Sequence, residues 1–172
     1  MADNASAGNG TDFQKLQLVT FVLEGDTFGI NVFSLDEIIP MLEISLIPKA
    51  PEFLEGIINL RGEIVPIIDL RKQFGCPSED LTLDSRILIS SFRSRKLGFI
   101  ADGVRNIQEV RKADLHPSVI QSERARFIEG IVELENGQMI QVIAIDRILE
   151  DACLDQLSEL EIHDTRDADT RT

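Results

Sequence analysis

One β-hairpin pattern occurs twice in this chain. FLEGIINLRGEIVPIIDL, beginning at Phe53, returns as FIEGIVELENGQMIQVIAI, beginning at Phe127, with one residue inserted. Phe53, Gly56, Leu60 and Gly62 match Phe127, Gly130, Leu134 and Gly137. Two earlier stretches recur more loosely: Leu18 to Ile30 as Arg86 to Ile100, and Phe33 to Ile39 as Asp102 to Gln108. Any two hairpins share some features, but three segments recurring in one order at an offset of about seventy residues indicate duplication. That offset is longer than a solenoid repeat, and two copies suit a pseudo-symmetric pair of small units better than an array. A chain of 172 residues can bury one good core or two small ones.

Within the first hairpin, FLEGIINL and EIVPIIDL carry the branched and aromatic residues that suit a pleated sheet, and Arg61-Gly62 punctuates them. Pro66 has no amide proton for a ladder, which predicts a sheet edge or the neighbourhood of a bulge. Upstream, LQLVTFVL and TFGI read as strands around a turn at Glu24-Gly25-Asp26. NVFSLDEII fits either period and predicts a turn of helix capped by Asn31 that leads into a strand near Glu37. The segment with Pro48 and Pro51 is an extended connection, CPSEDLTLDS is a linker, and KADLHPSVIQSERAR is a loop with one short helix. Beyond Asp146, Leu149, Cys153, Leu157 and Leu160 form an apolar stripe at helical spacing. This predicts a closing helix packed on the sheets in preference to a free partner-binding helix. A flexible tail is expected over residues 1–12, and a helix with an acidic polar tail over 148–172.

Thirty acidic residues against seventeen basic give a net charge of −13, which repels nucleic-acid backbones and anionic lipid. The chain has no Trp or Tyr to stack on bases. Neither nucleic-acid binding nor membrane insertion is expected. The opening residues lack the basic and apolar regions of a secretory signal, and two distant cysteines do not suggest a disulfide framework, so a cytoplasmic protein is expected. His116 and His163 stand apart from other ligand types, so no metal site is predicted. No GxSxG elbow, phosphate loop or dinucleotide fingerprint is present, and neither a cofactor nor catalysis is expected. A β-barrel enzyme or small-molecule binder is the alternative reading.

TFGINVFSLDEI, IPKAPEFLEGIINLRGEIVPIIDLRKQFG and LGFIADGV together resemble the CheW family of chemotaxis coupling proteins. The resemblance covers about residues 13–151. It implies a mainly β fold of two SH3-like five-stranded β-barrels sharing a hydrophobic core, with short helices and a C-terminal helix. The expected units are a first barrel over about 13–80 and a second over about 81–147. It further implies a non-catalytic adaptor linking the CheA histidine kinase to the cytoplasmic tips of methyl-accepting chemotaxis receptors, recruited to receptor arrays at the inner face of the membrane. An adaptor of a non-flagellar chemosensory pathway is the variant of that reading. Such an adaptor needs two surfaces: strand edges for the like-folded domain of the kinase, and a groove for the receptor's helical tip. By the same resemblance, the groove candidates are Leu35, Ile38, Val104 and Ile107, and Gly56 and Arg61 lie near an interface. Ordinary packing is the competing reading for each of the four, and for Gly56, repeated as Gly130, a position needing no side chain.

The duplication adds its own inference about two charges. Arg61 is replaced in the second copy by Glu135, beside the inserted Asn136, and Glu37 by Asn106. Charges missing together from one copy are not needed to build the unit. Their joint loss predicts that Arg61 binds the Glu37 carboxylate through its planar fork, with two unrelated surface charges as the competing reading.

Overall fold

The computed structural model describes residues 14–77, 80–119 and 122–155. The expected tail over 1–12, the stripe positions Leu157 and Leu160, and His163 lie outside them, and the side chain of Cys153 is likewise not described. Ten strands run in order: β1 (Lys15–Leu23), β2 (Asp26–Asn31), β3 (Glu37–Pro40), β4 (Leu54–Leu60), β5 (Glu63–Asp69), β6 (Arg86–Phe92), β7 (Arg95–Ala101), β8 (Ile107–Arg111), β9 (Ile128–Glu133) and β10 (Met139–Ile143). A short helix α1 (Leu70–Gln73) follows β5, and α2 (Ile145–Asp155) follows β10. The ambiguous NVFSLDEII resolves as expected: Val32–Ser34 makes a 3₁₀ turn, the Asn31 side chain accepts from the Phe33 amide, and β3 starts at Glu37.

The strands form two five-stranded sheets, ordered β8-β1-β2-β10-β9 and β3-β6-β7-β5-β4. Advancing each strand by half the chain converts one order into the other, so the duplication is structural. Neither sheet, however, comes from one half of the sequence. The hairpin β1–β2 joins β8, β9 and β10, and β6–β7 joins β3, β4 and β5. The contiguous units expected over 13–80 and 81–147 are thus replaced by interlocked ones. Alternation of apolar residues fixes which face a strand buries but says nothing of which strand lies beside it. The exchange is made by parallel pairs, β2 with β10 and β5 with β7.

The exchanged hairpins are apolar on both faces for a reason. Leu18 of β1 faces the core of its own sheet with Val110, Val132, Ile140 and Val142. Phe21 and Leu23, of opposite parity, enter the core shared between the sheets. In β6, Ile87 and Ile89 fill the second sheet's own core, and Leu88 faces the shared one. Phe21, Phe28, Phe74 and Phe127 form a chain of ring contacts across the shared core, with successive centroids 6.1, 5.4 and 6.3 Å apart. Helix α2 closes it with Ile145, Ile148 and Leu149, so the packed stripe begins earlier than the spacing of leucines predicts.

Pro66 meets the second of its two expectations, a neighbouring bulge, and not the first, a sheet edge. Strand β5 lies inside its sheet, between β4 and β7. Pro66 is tolerated there because the parallel ladder to β7 starts one residue later, at Ile67. A register shift between Leu54 and Gly56 on the facing strand supplies the bulge that the same argument allowed.

Gly56 and Gly130 share one structural task. The chain beyond β3 returns to bridge Ser45 with Ile57, and the chain beyond β8 bridges His116 with Ile131. These bridges tie together the outermost strands of each sheet. A Cβ on Gly56 would strike the Ser45 carbonyl oxygen, and one on Gly130 would lie 2.6 Å from that of His116. Each Gly→Ala change should therefore cost about 1–3 kcal/mol through overpacking against backbone that cannot rotate away. Chemical denaturation measures it, and unchanged midpoints would show that these segments do not close the sheets.

A charge network with Asp69, Arg71 and Ser85 buried and Asp102 at its margin also joins the halves. Asp69 accepts from Arg71 Nε at 3.0 Å and Nη2 at 2.8 Å, and Arg71 Nη1 lies 3.4 Å from Asp102 Oδ2. The Ser85 hydroxyl donates to Asp102 Oδ1 at 2.7 Å. The network pins α1, the start of β6 and the end of β7 together.

Candidate functional site

Strands β3 and β4 are the two outer strands of the second sheet, and the β4–β5 turn projects beside the start of β3. Arg61 and Gly62 both have positive φ, 51° and 86°, the tight two-residue turn whose twist matches its strands. Asn59 Oδ1 accepts from the Gly62 amide and stiffens it. From this tip Arg61 Nη1 donates to Glu37 Oε1 at 2.8 Å and Nη2 to Oε2 at 2.9 Å. The predicted fork is formed, and it spans the seam between the outer strands. Arg61 remains 69% exposed while Glu37 is 27% exposed, so a partner can reach the guanidinium and meets a carboxylate already spoken for.

Hydrogen bonding by Arg61 is the chief influence holding the Glu37 carboxyl below its ordinary value, and the same contact raises Arg61. A carboxylate with a depressed pKa keeps its bond above the ordinary glutamate range and loses it as pH falls through the lowered value. A carbon-detected NMR titration should find Glu37 titrating below free glutamate, and Arg61→Ala should bring its midpoint up. An unmoved midpoint would show that the fork does not persist in solution.

The four groove candidates divide by symmetry. Leu35 and its counterpart Val104 are partly buried and pack against the shared core, which makes them fold residues first. Ile38 and its counterpart Ile107 are 41% and 58% exposed, on the outermost strands β3 and β8. Each sits opposite a core residue of the neighbouring strand, Leu88 for Ile38 and Val19 for Ile107. Gly56 makes the close approach described above. Phe33, 85% exposed in the turn before β3, is an apolar surface residue that the sequence reading absorbed into the repeat. Its signal was available: its counterpart is Asp102, so an aromatic ring there is not required by the fold.

Among the described residues no group of three or more His, Cys, Asp or Glu could hold a metal ion, and no helix is long and apolar enough to cross a membrane. Two interlocked sheets that display apolar side chains on outer strands and an oriented guanidinium define a protein-binding scaffold. Residues 17–153 match the family model described as the CheW-like domain, and the chain belongs to that family. It is 34% identical over 155 residues to a chemotaxis protein CheW of Treponema pallidum, covering 86% of this chain and 89% of that protein. It is 28% identical over 136 residues to that of Bacillus subtilis, covering 78% and 86%. The crystal structure of the scaffolding protein TtCheW from Thermoanaerobacter tengcongensis superposes with a TM-score of 0.71 at 33% identity, covering 80% of this chain and 90% of that one.

Proposed function

We propose that this chain is a chemotaxis adaptor that couples the CheA histidine kinase to the cytoplasmic tips of methyl-accepting receptors and performs no chemistry itself. Family membership supports the adaptor role. The observation that carries the coupling is the asymmetry of a duplicated fold. Two equivalent sheets share strand order, yet among the described residues only one seam is bridged by an arginine–glutamate fork. Coupling demands two surfaces that bind different partners at once, and a duplicated unit whose copies differ in surface charge supplies them. On this reading Arg61, with Glu37 behind it, and the exposed Ile38 and Ile107 belong to the partner surfaces. Leu35, Val104 and Gly56 shape them from beneath. The working place is the cytoplasmic face of receptor arrays.

The test is reconstitution. Receptor-bearing membranes, kinase and this chain should co-sediment as a ternary complex, with kinase autophosphorylation raised above its free level and lowered by attractant. A chain that sediments with neither partner, or that binds both and leaves the kinase unchanged, overturns the proposal.

A further inference from the structure

The duplication provides an internal control for the seam of the first sheet. There β8 and β9 are the outermost strands, and the positions that carry the fork in the other copy are Asn106 and Glu135. No fork can form. The turn is also longer by Asn136, and beyond the His116–Ile131 bridge the seam opens as a cleft of about 990 Å³. Its lining includes Lys15, Glu109, Arg111, Asp114, Glu133 and Glu135.

Backbone direction makes this cleft a template for a strand. Thr20 N donates to Asn106 O, and Lys112 N to Gln14 O, so the even-numbered residues of β8 bond toward β1. By the alternation of an antiparallel ladder, Ile107, Glu109 and Arg111 direct their amides and carbonyls away from β1, into the seam. On β9, Ile131 exchanges bonds with His116, and Glu133 directs its backbone the same way two residues further on. The charges state which strand would fit. Lys15 is bonded to Glu109 at 2.6 Å and Arg111 to Asp114 at 2.9 Å, so both cations are matched within the cleft. Glu133 and Glu135 have no cationic partner among the described residues.

We propose that the open seam between β8 and β9 is a docking site for an extended polypeptide segment of a partner protein, carrying lysine or arginine at alternating positions and adding as a strand. Main-chain bonds to the β8 edge would hold the segment, and every second side chain would meet Glu133 or Glu135. The site is separate from the Arg61–Glu37 fork, which lies on the other sheet.

The full-length chain can be titrated against a fluorescein-labelled peptide of alternating lysine and threonine, followed by anisotropy, with an alternating glutamate–threonine peptide beside it. The lysine peptide should bind saturably and the glutamate peptide should not. Glu133→Lys with Glu135→Lys should weaken binding about tenfold or more, as reversal of facing charges does. Glu43→Lys with Glu52→Lys, an equal change of net charge on exposed residues elsewhere, should weaken it far less. Glu109→Pro removes a seam-facing amide from an outer strand together with the carboxylate on Lys15, and it should weaken binding more than Glu109→Gln, which removes the carboxylate's charge alone. Hydrogen exchange should slow at Ile107 and Glu109 when peptide is present. Equal weakening by the two charge-reversed pairs, absence of that protection in the folded wild type, or no binding of the lysine peptide each overturns the proposal.

Discussion

Arg61→Ala is expected to abolish receptor-dependent activation of the kinase, bringing autophosphorylation to the level seen without adaptor, while the protein folds normally. Arg61 already sits at a φ of 51°, so alanine inherits a strained backbone and adds none. What is lost is the fork to Glu37, at 2.8 and 2.9 Å, and with it the fixed direction of the guanidinium. Glu37→Ala should have the same effect, since an unheld arginine samples many rotamers and presents none of them. Because the two residues form one unit, the double variant should be no worse than either single. Arg61→Lys keeps the charge without the planar fork and should rescue only weakly. Fully additive losses would show that the residues act separately. Normal coupling by Arg61→Ala would remove Arg61 from the functional surface.

Phe127→Ala is expected to give the largest loss of stability, about 3–5 kcal/mol, because it empties the end of the aromatic chain in the shared core. The ring is 3% exposed, meets Phe74 edge to face at 6.3 Å and carries the Arg126 guanidinium 4.5 Å above it. Its counterpart Phe53 is only partly buried and packs against the margin of the same core, so Phe53→Ala should cost distinctly less. The repeat matches the two phenylalanines, which on its own predicts equal roles for them in the core. Urea denaturation of both variants separates the readings. Equal losses would restore the equivalence, and no shift for Phe127→Ala would remove the residue from the core.

The reason for that difference also explains what the sequence showed and what it hid. Repetition of Phe53 as Phe127 and of Gly56 as Gly130 revealed two copies of one unit, and the copies do superimpose in strand order. The Arg61–Glu37 fork was legible because comparison of the copies isolates charges that the fold does not require. Strand partnership was not legible. Leu18 and Phe21 point to opposite faces in the same way whether β1 lies beside β2 and β8, as it does, or beside strands of its own half. Asp69 and Arg71 were hidden for another reason: placed after an apolar run, they resemble the solvated end of a strand. Only the fold brings Asp102 and Ser85 to them and buries Asp69, Arg71 and Ser85.

The crossing of β1–β2 and β6–β7 into each other's sheets has a consequence for how the two copies depend on one another. If each half folded as a separate chain, it would hold three strands of one sheet and would have to lend its hairpin to a neighbour and borrow another. That is a hairpin-exchanged homodimer, and joining the end of one copy to the start of the next yields the present connectivity with no strand moved. The peptide between Gly75 and Arg86 is the covalent link that joins the two copies. Once both copies lay in a single polypeptide they could mutate independently. One could keep a paired arginine and glutamate while the other exchanged them for glutamate and asparagine. A symmetric pair of identical copies would offer every partner the same face twice, whereas two linked copies that differ in sequence present two different faces.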